Sequence, residues 1–259
     1  NPAATSANIL ASARPLATHL ARSRTLDRGL VAGIMTMAFG GTDAEGAWCW
    51  RDAYDAIEAA TVLQIRRLGP QVGRLEDAPA EITGLLANLS GLGLIHSRRS
   101  EAQVALDQFS TPPHLAALAV LAAQVRPGDR VLEPSAGTGL LAVLAEACGA
   151  ALTLNEIDPG RAAVLDGLFA DAPRSGHDAR YIADVLASAG GFDVVVCNPP
   201  FSDLDAHLRA ALEALADGGR LCAIVPETAL SDVYLSGLSG SGRVVAAIVL
   251  PPRAFARHG

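Results

Sequence analysis

The sequence predicts a doubly wound α/β sheet preceded by a helical segment, and three observations carry that reading. Up to about residue 107, apolar positions recur every three or four residues, the period of an amphipathic helix. From about residue 108, short apolar strands alternate with helices, as parallel strands joined by crossover helices do. Between the first strand and its helix stands Gly137-Thr138-Gly139, a turn of the kind that lets a ligand approach a helix N-terminus.

In chain order, the helical half (1–107) is expected to hold helices over 5–20, 26–38, 47–68 and 80–89, with Trp48 and Trp50 opening the third as core anchors. The second half (108–259) is expected to hold strands 130–134, 151–157, 180–183, 192–198, 220–225 and 244–250. Helices 138–148, 159–170 and 203–216 lie between them, and "SGLSGSG" at 236–242 reads as a flexible connection. Thr111 and Pro112 read as N-cap and first residue of a helix that precedes the sheet. The chain starts at Asn1 and stops soon after its last strand, the pattern expected of a fragment.

Composition excludes several functions. Half of the 259 residues are hydrophobic, enough for a sizeable core, and no apolar run reaches the roughly 18 residues of a membrane span. Residues 1–26 carry arginines and no acid, as transit peptides do, yet Ile9, Leu10, Leu16 and Leu20 fit one helical face. Cys49, Cys148, Cys197 and Cys222 form no CxxC pair and read as small core residues of a reducing, cytoplasmic compartment. Neither they nor the six scattered histidines make a metal site. All 20 basic residues are arginine, so P-loop, Schiff-base and kinase-type lysines are excluded together. A net charge of −7 fits a stand-alone nucleic-acid binder poorly. The local clusters Arg22-Ser23-Arg24, Arg66-Arg67 and Arg98-Arg99 read first as solvated helix faces.

The stretch "VLEPSAGTGLLA" then points to a nucleoside-bearing cofactor. Gly137, Gly139 and Ala142 satisfy GxGxxA, and Glu156 closes the next strand where a ribose-binding acid belongs. Glu133, just before the loop, opposes a pyrophosphate and suits a cation, which favours S-adenosylmethionine over NAD. Ser135, Ala136 and Thr138 complete the cofactor loop, and Ile157 is expected to pack on the adenine ring. Asp184, at the end of the expected third strand, is a candidate for the adenine amine, with a plain turn acid as the other reading.

The order 3-2-1-4 expected of such a sheet sets strands 1 and 4 side by side at the topological switch point, where ligands bind. This puts Asn198-Pro199-Pro200-Phe201, at the end of strand 4, beside the cofactor loop. The Asn198 side-chain oxygen and the Pro199 carbonyl can accept from an exocyclic NH₂, with Pro199 and Pro200 holding them rigid and Phe201 offering a stacking face. Such a pair would turn a nitrogen lone pair toward a methyl donor without a metal.

With these residues quoted, the second half resembles the S-adenosylmethionine-dependent adenine DNA methyltransferases, whose order is an FxTP segment, the cofactor loop, then NPPF or NPPY. Here those are Phe109-Ser110-Thr111-Pro112, Glu133 to Gly139, and Asn198 to Phe201. The resemblance implies a Rossmann-like class I methyltransferase fold and contacts from Phe109, Thr111 and Pro112 to the methionine end of the cofactor. More narrowly the chain, including "DAEGAWCWRDAYDA", is similar to the N-terminal methylase region of plasmid- and phage-borne polypeptides that continue into a strawberry-notch-like helicase. That likeness implies DNA as substrate, a helicase region as partner, and a terminal hairpin of which only the first strand, 244–250, is present. Enzymes that methylate protein glutamine or RNA share the NPPF motif and stay open as alternatives, as does a non-catalytic DNA-docking module. An NAD-dependent oxidoreductase lacks an acid-base residue near the loop.

Overall fold

The computed structural model describes residues 2–94, 110–230, 242–251 and 254–255. Phe109, Arg98, Arg99 and most of the 236–242 stretch lie outside them.

Among the described residues, five helices make the first half: α1 (Pro2–Ala21), α2 (Arg28–Phe39), α3 (Trp50–Arg67), the single turn α4 (Gly69–Val72) and α5 (Pro79–Leu92). Their ends follow local chemistry. Asp27 caps α2 by accepting from the Leu30 N–H at 2.9 Å, and Asp52 reaches back to the Cys49 N–H at 2.8 Å to start α3. Trp48 is buried just ahead of α3, whereas Trp50 is half-buried, with the Arg28 guanidinium 3.8 Å from its ring. Cys49 is exposed rather than a core residue, because it is the N-cap.

In the second half come α6 (Pro113–Ala122), β1 (Arg130–Glu133), α7 (Leu140–Ala147), β2 (Ala151–Asn155), α8 (Pro159–Leu168), β3 (Arg174–Ser175), α9 (Ile182–Val185), β4 (Phe192–Cys197), α10 (Leu204–Glu213) and β5 (Leu215–Ala223). All ladders are parallel and the order is β3-β2-β1-β4-β5. β1 and β4 are therefore neighbours, with Val131 opposite Val194, as the switch-point argument requires.

β4 is covered on both faces. Val194 and Val196 belong to the main core with α1, α3, α7 and α8, whereas Val195 joins Leu132, Ile182 and residues of α10 on the other face. Burying each valine stabilises the fold by about 1.5–3 kcal/mol, which is why the run contains no polar break until Asn198. The main core runs without interruption from Ile9 to Val196, so the helical half packs directly on one face of the sheet layer. Arg66 adds to that seam: it pairs with Glu146 of α7 at 2.6 Å and lies 4.3 Å from the Phe169 ring, a clamp rather than the solvated face expected.

Four expectations need correction. Residues 180–183 are not a strand: a 3-10 turn, Ala179–Tyr181, runs into α9, because Asp178 caps the turn by accepting from the Arg180 N–H. β5 begins at Leu215, earlier than expected: Leu215 pairs with Phe192, and an irregularity follows before Arg220 pairs with Val194. Residues 244–250 carry β-branched side chains but make no ladder among the described residues, and Val245 is 82% exposed. Propensity makes a strand only where a neighbour completes the hydrogen bonds. Finally, Pro112 is the N-cap of α6 and Pro113 its first residue, one position later than expected, which frees the Thr111 hydroxyl for a different partner.

Candidate active site

One pocket opens outside the carboxyl ends of β1, β2 and β4, and the sequence predicts much of its lining. Thr111, Glu133, Ser135, Ala136, Gly137, Thr138, Glu156, Ile157, Asn198 and Pro200 all border it. Pro112, Gly139, Pro199 and Phe201 adjoin those residues in sequence but are not in the lining, and neither is Asp184. Asp184 sits exposed on α9, because the strand meant to carry it is absent; Asp178, six residues earlier, borders the pocket in its place.

The loop after β1 owes its shape to two glycines. Gly137 and Gly139 have φ of +56° and +90°, in the left-handed region that side chains disfavour. At Gly139 a Cβ would also stand 2.3 Å from Cε2 of Phe169, so only glycine lets the loop meet α8 and its C-cap. Glu156 braces the loop from the sheet: Oε2 accepts from the Gly137 N–H at 2.7 Å and Oε1 from the Asp158 N–H at 2.8 Å. Asn155, which sequence reasoning passed over, ties two loops together. Its Nδ2 donates to the Pro134 and His177 carbonyls, each at 2.8 Å, while its Oδ1 accepts from Ser175 Oγ and the His177 N–H. The only hint was a polar residue closing an apolar strand.

Electrostatically the site is rich in buried acids. Glu133 is 2% exposed, and its Oε2 has no hydrogen-bond partner among the described residues. Burial pushes its carboxyl well above the usual range; the Ala142 N–H works against that, and Glu156 adds to it. Burial also raises Glu156, against the Asp158 N–H and Arg161. Burial would raise Asp158 too, but the Arg51 hydrogen bond at 2.5 Å and the Arg161 N–H outweigh it and hold it low. Beneath the loop, Arg161 pairs with Asp55 of α3 at 3.1 Å, both nearly inaccessible. Burial pushes Asp55 up to about 6, with Arg161 opposing and Glu58 assisting. Glu58, Arg161, Asp178, Arg180, Asp203 and His207 border the pocket without having been foreseen.

At the far wall, Asn198 Nδ2 donates to Thr111 Oγ1 at 3.0 Å. In this arrangement the Nδ2 end of the amide faces the hydroxyl and Oδ1 is the end that can accept. The expected TP segment and the Asn-Pro-Pro-Phe segment, 87 residues apart, meet at this bond.

No family model matches the chain. Over 112 residues it is 41% identical to ribosomal protein L11 methyltransferase of Thermus thermophilus, a match covering 40% of this chain and 41% of that protein. Over 98 residues it is 33% identical to ribosomal protein L11 methyltransferase of Burkholderia thailandensis, covering 38% and 32%. The chain thus spans about two-fifths or less of the curated relatives it matches. Among solved structures, TrmN from Thermus thermophilus aligns at 22% identity and TM-score 0.42, covering 59% of this chain and 57% of that one. Fibrillarin from Aeropyrum pernix, with natively bound S-adenosyl-L-methionine, aligns at 20% and 0.45, covering 54% and 70%.

The fold is the doubly wound, Rossmann-like α/β sheet expected, with the order β3-β2-β1-β4-β5. S-adenosylmethionine is the cofactor supported, as expected from Glu133. Neither curated relative is named for DNA or a helicase, so the narrower resemblance gains nothing from them. The residues fit such a cofactor: a buried, unpartnered Glu133 oxygen offers an acceptor to a cation, and the glycine loop leaves backbone accessible beside Glu156. Among the described residues no cluster of three or more His, Cys, Asp or Glu could hold a metal, and no helix is long and apolar enough to cross a membrane.

Proposed function

We propose that the chain transfers a methyl group from S-adenosylmethionine to a planar nitrogen, and that a side-chain amide of a protein is the acceptor class. The observation that carries the reaction is the meeting, on one pocket, of the Glu133-to-Thr138 loop with Asn198 held by Thr111. The protein acceptor is supported by the L11 methyltransferase match over 112 residues and by a net charge of −7, which opposes a polyanion.

The cofactor supplies an activated methyl group; the chain supplies position and charge. Glu133 offers a carboxylate to a cation, and Glu156 offers acceptor lone pairs beside the loop. Asn198 and the Pro199 carbonyl are the acceptors that would orient the nitrogen, with the prolines keeping them rigid. Phe201 would flank a planar acceptor group.

A second reading, a base amine of DNA or RNA, is favoured by the Thr111-Pro112 and Asn198-to-Phe201 order. One experiment separates them. Incubating the chain with methyl-labelled S-adenosylmethionine and, separately, ribosomal proteins, total RNA and unmethylated DNA should place label in protein. Label confined to methyladenosine would favour the base reading; no label in any pool would remove both.

A further inference from the structure

The helical half contributes a wall of this pocket, and its contribution is one carboxylate. Glu58 of α3 is 7% exposed and borders the pocket. Its Oε2 accepts from Thr138 Oγ1 at 2.6 Å, and its Oε1 accepts from Ser110 Oγ. Thr138 stands between the two left-handed glycines of the cofactor loop, and Ser110 precedes the threonine that holds the Asn198 amide.

We propose that Glu58 is a positioning residue that locks the cofactor loop and the acceptor-orienting amide into one arrangement, so that α3 completes the site. The inference rests on the methyltransferase reading of the pocket. Two hydroxyl donors converge on the carboxylate from segments 28 residues apart in sequence, Ser110 and Thr138. A carboxylate is acceptor-only and satisfies both at once, with one oxygen for each. Glutamine of the same length would turn an NH₂ to one hydroxyl, which must then accept instead of donate, and neither arm would be charge-assisted. Glu156 braces the loop at Gly137 from the sheet side, so the loop is held between two carboxylates, one from each half of the chain.

The test uses the full chain with S-adenosylmethionine titrated by calorimetry and the Asn198 side-chain NH₂ signal followed by NMR, assigned by its loss in Asn198→Asp. Glu58→Gln should weaken cofactor binding by about 10- to 100-fold, as loss of charge assistance in both arms does. It should also shift the Asn198 signal. The arms should separate: Thr138→Val weakens binding with the Asn198 signal in place, and Ser110→Ala moves that signal with binding within about threefold. In the double variant Glu58→Ala with Thr138→Val, binding should be no weaker than in Glu58→Ala alone, the non-additivity of a shared interaction. Should Glu58→Gln fail to fold, the two arm variants carry the same test. Unchanged binding and signal in the variants, or a lowered urea midpoint as the sole effect, overturns the inference and leaves the methyltransferase reading intact. A parent chain that binds no S-adenosylmethionine removes that reading, and the inference with it.

Discussion

Asn198 is the residue on which the proposed chemistry depends most. Its Nδ2 donates to Thr111, which leaves Oδ1 as the end that can accept from a substrate nitrogen. Asn198→Ala should therefore lower transfer by about 100-fold or more and leave cofactor binding nearly unchanged, measured as single-turnover rate against calorimetric affinity. Equal rates would remove Asn198 from the chemistry. Glu133 makes a second residue-level prediction. Burial favours its neutral form in the free protein, and a bound cation favours the carboxylate, so binding expels a proton. Affinity for S-adenosylmethionine should then rise with pH until Glu133 is ionised in the free protein. Calorimetry in buffers of different ionisation enthalpy should show net proton release that Glu133→Gln abolishes. These two residues were legible in the sequence because each stands at a motif with fixed spacing to a glycine loop or a strand end. Asn155, Glu58 and Asp178 were not, since nothing in a linear sequence marks which polar residue will be enclosed by loops from elsewhere.

At the scale of elements, α3 shows the limit of periodicity. Its bounds were expected as 47–68 and are Trp50–Arg67, but its buried face carries Asp55, Glu58 and Gln64 among the alanines. A helical pattern predicts that face to be apolar; here it meets the polar back of the cofactor loop. The Asp55–Arg161 pair is the test. Asp55→Ala leaves a buried guanidinium without its partner, which costs about 3–5 kcal/mol, measured as a lower urea midpoint. A change below about 1 kcal/mol would mean that solvent or Glu58 takes over the charge. The pair also has a pH sign. With the Asp55 carboxyl raised to about 6 from an unfolded value of 3.8, the native state holds the proton more firmly. Its contribution is fully present below about 3.8 and declines as pH rises to about 6. The strand expected at 180–183 fails for a different reason. "ARYIADV" has strand-like apolar content, yet the Asp178 cap turns it into helix, and local capping outweighs a short apolar run.

For the whole molecule, the change of period near residue 107 is real in sequence but does not divide the core. Ile9, Leu16 and Ile65 share one cluster with Leu141, Val164 and Val196, and Arg51, Asp55, Glu58 and Arg66 all reach across. We expect residues 108–259 alone to melt without a cooperative transition by circular dichroism, whereas the full chain melts in one. A sharp transition in the shorter chain would make the sheet half independent and the helical half an accessory. The same view sets the most direct test of the account, which is that this acid-rich, glycine-turned pocket takes S-adenosylmethionine. Calorimetric titration of the full chain should show one site for S-adenosylmethionine, weakened in Glu156→Ala and untouched by excess NAD. No saturable heat with S-adenosylmethionine, or displacement of it by NAD, would contradict the account.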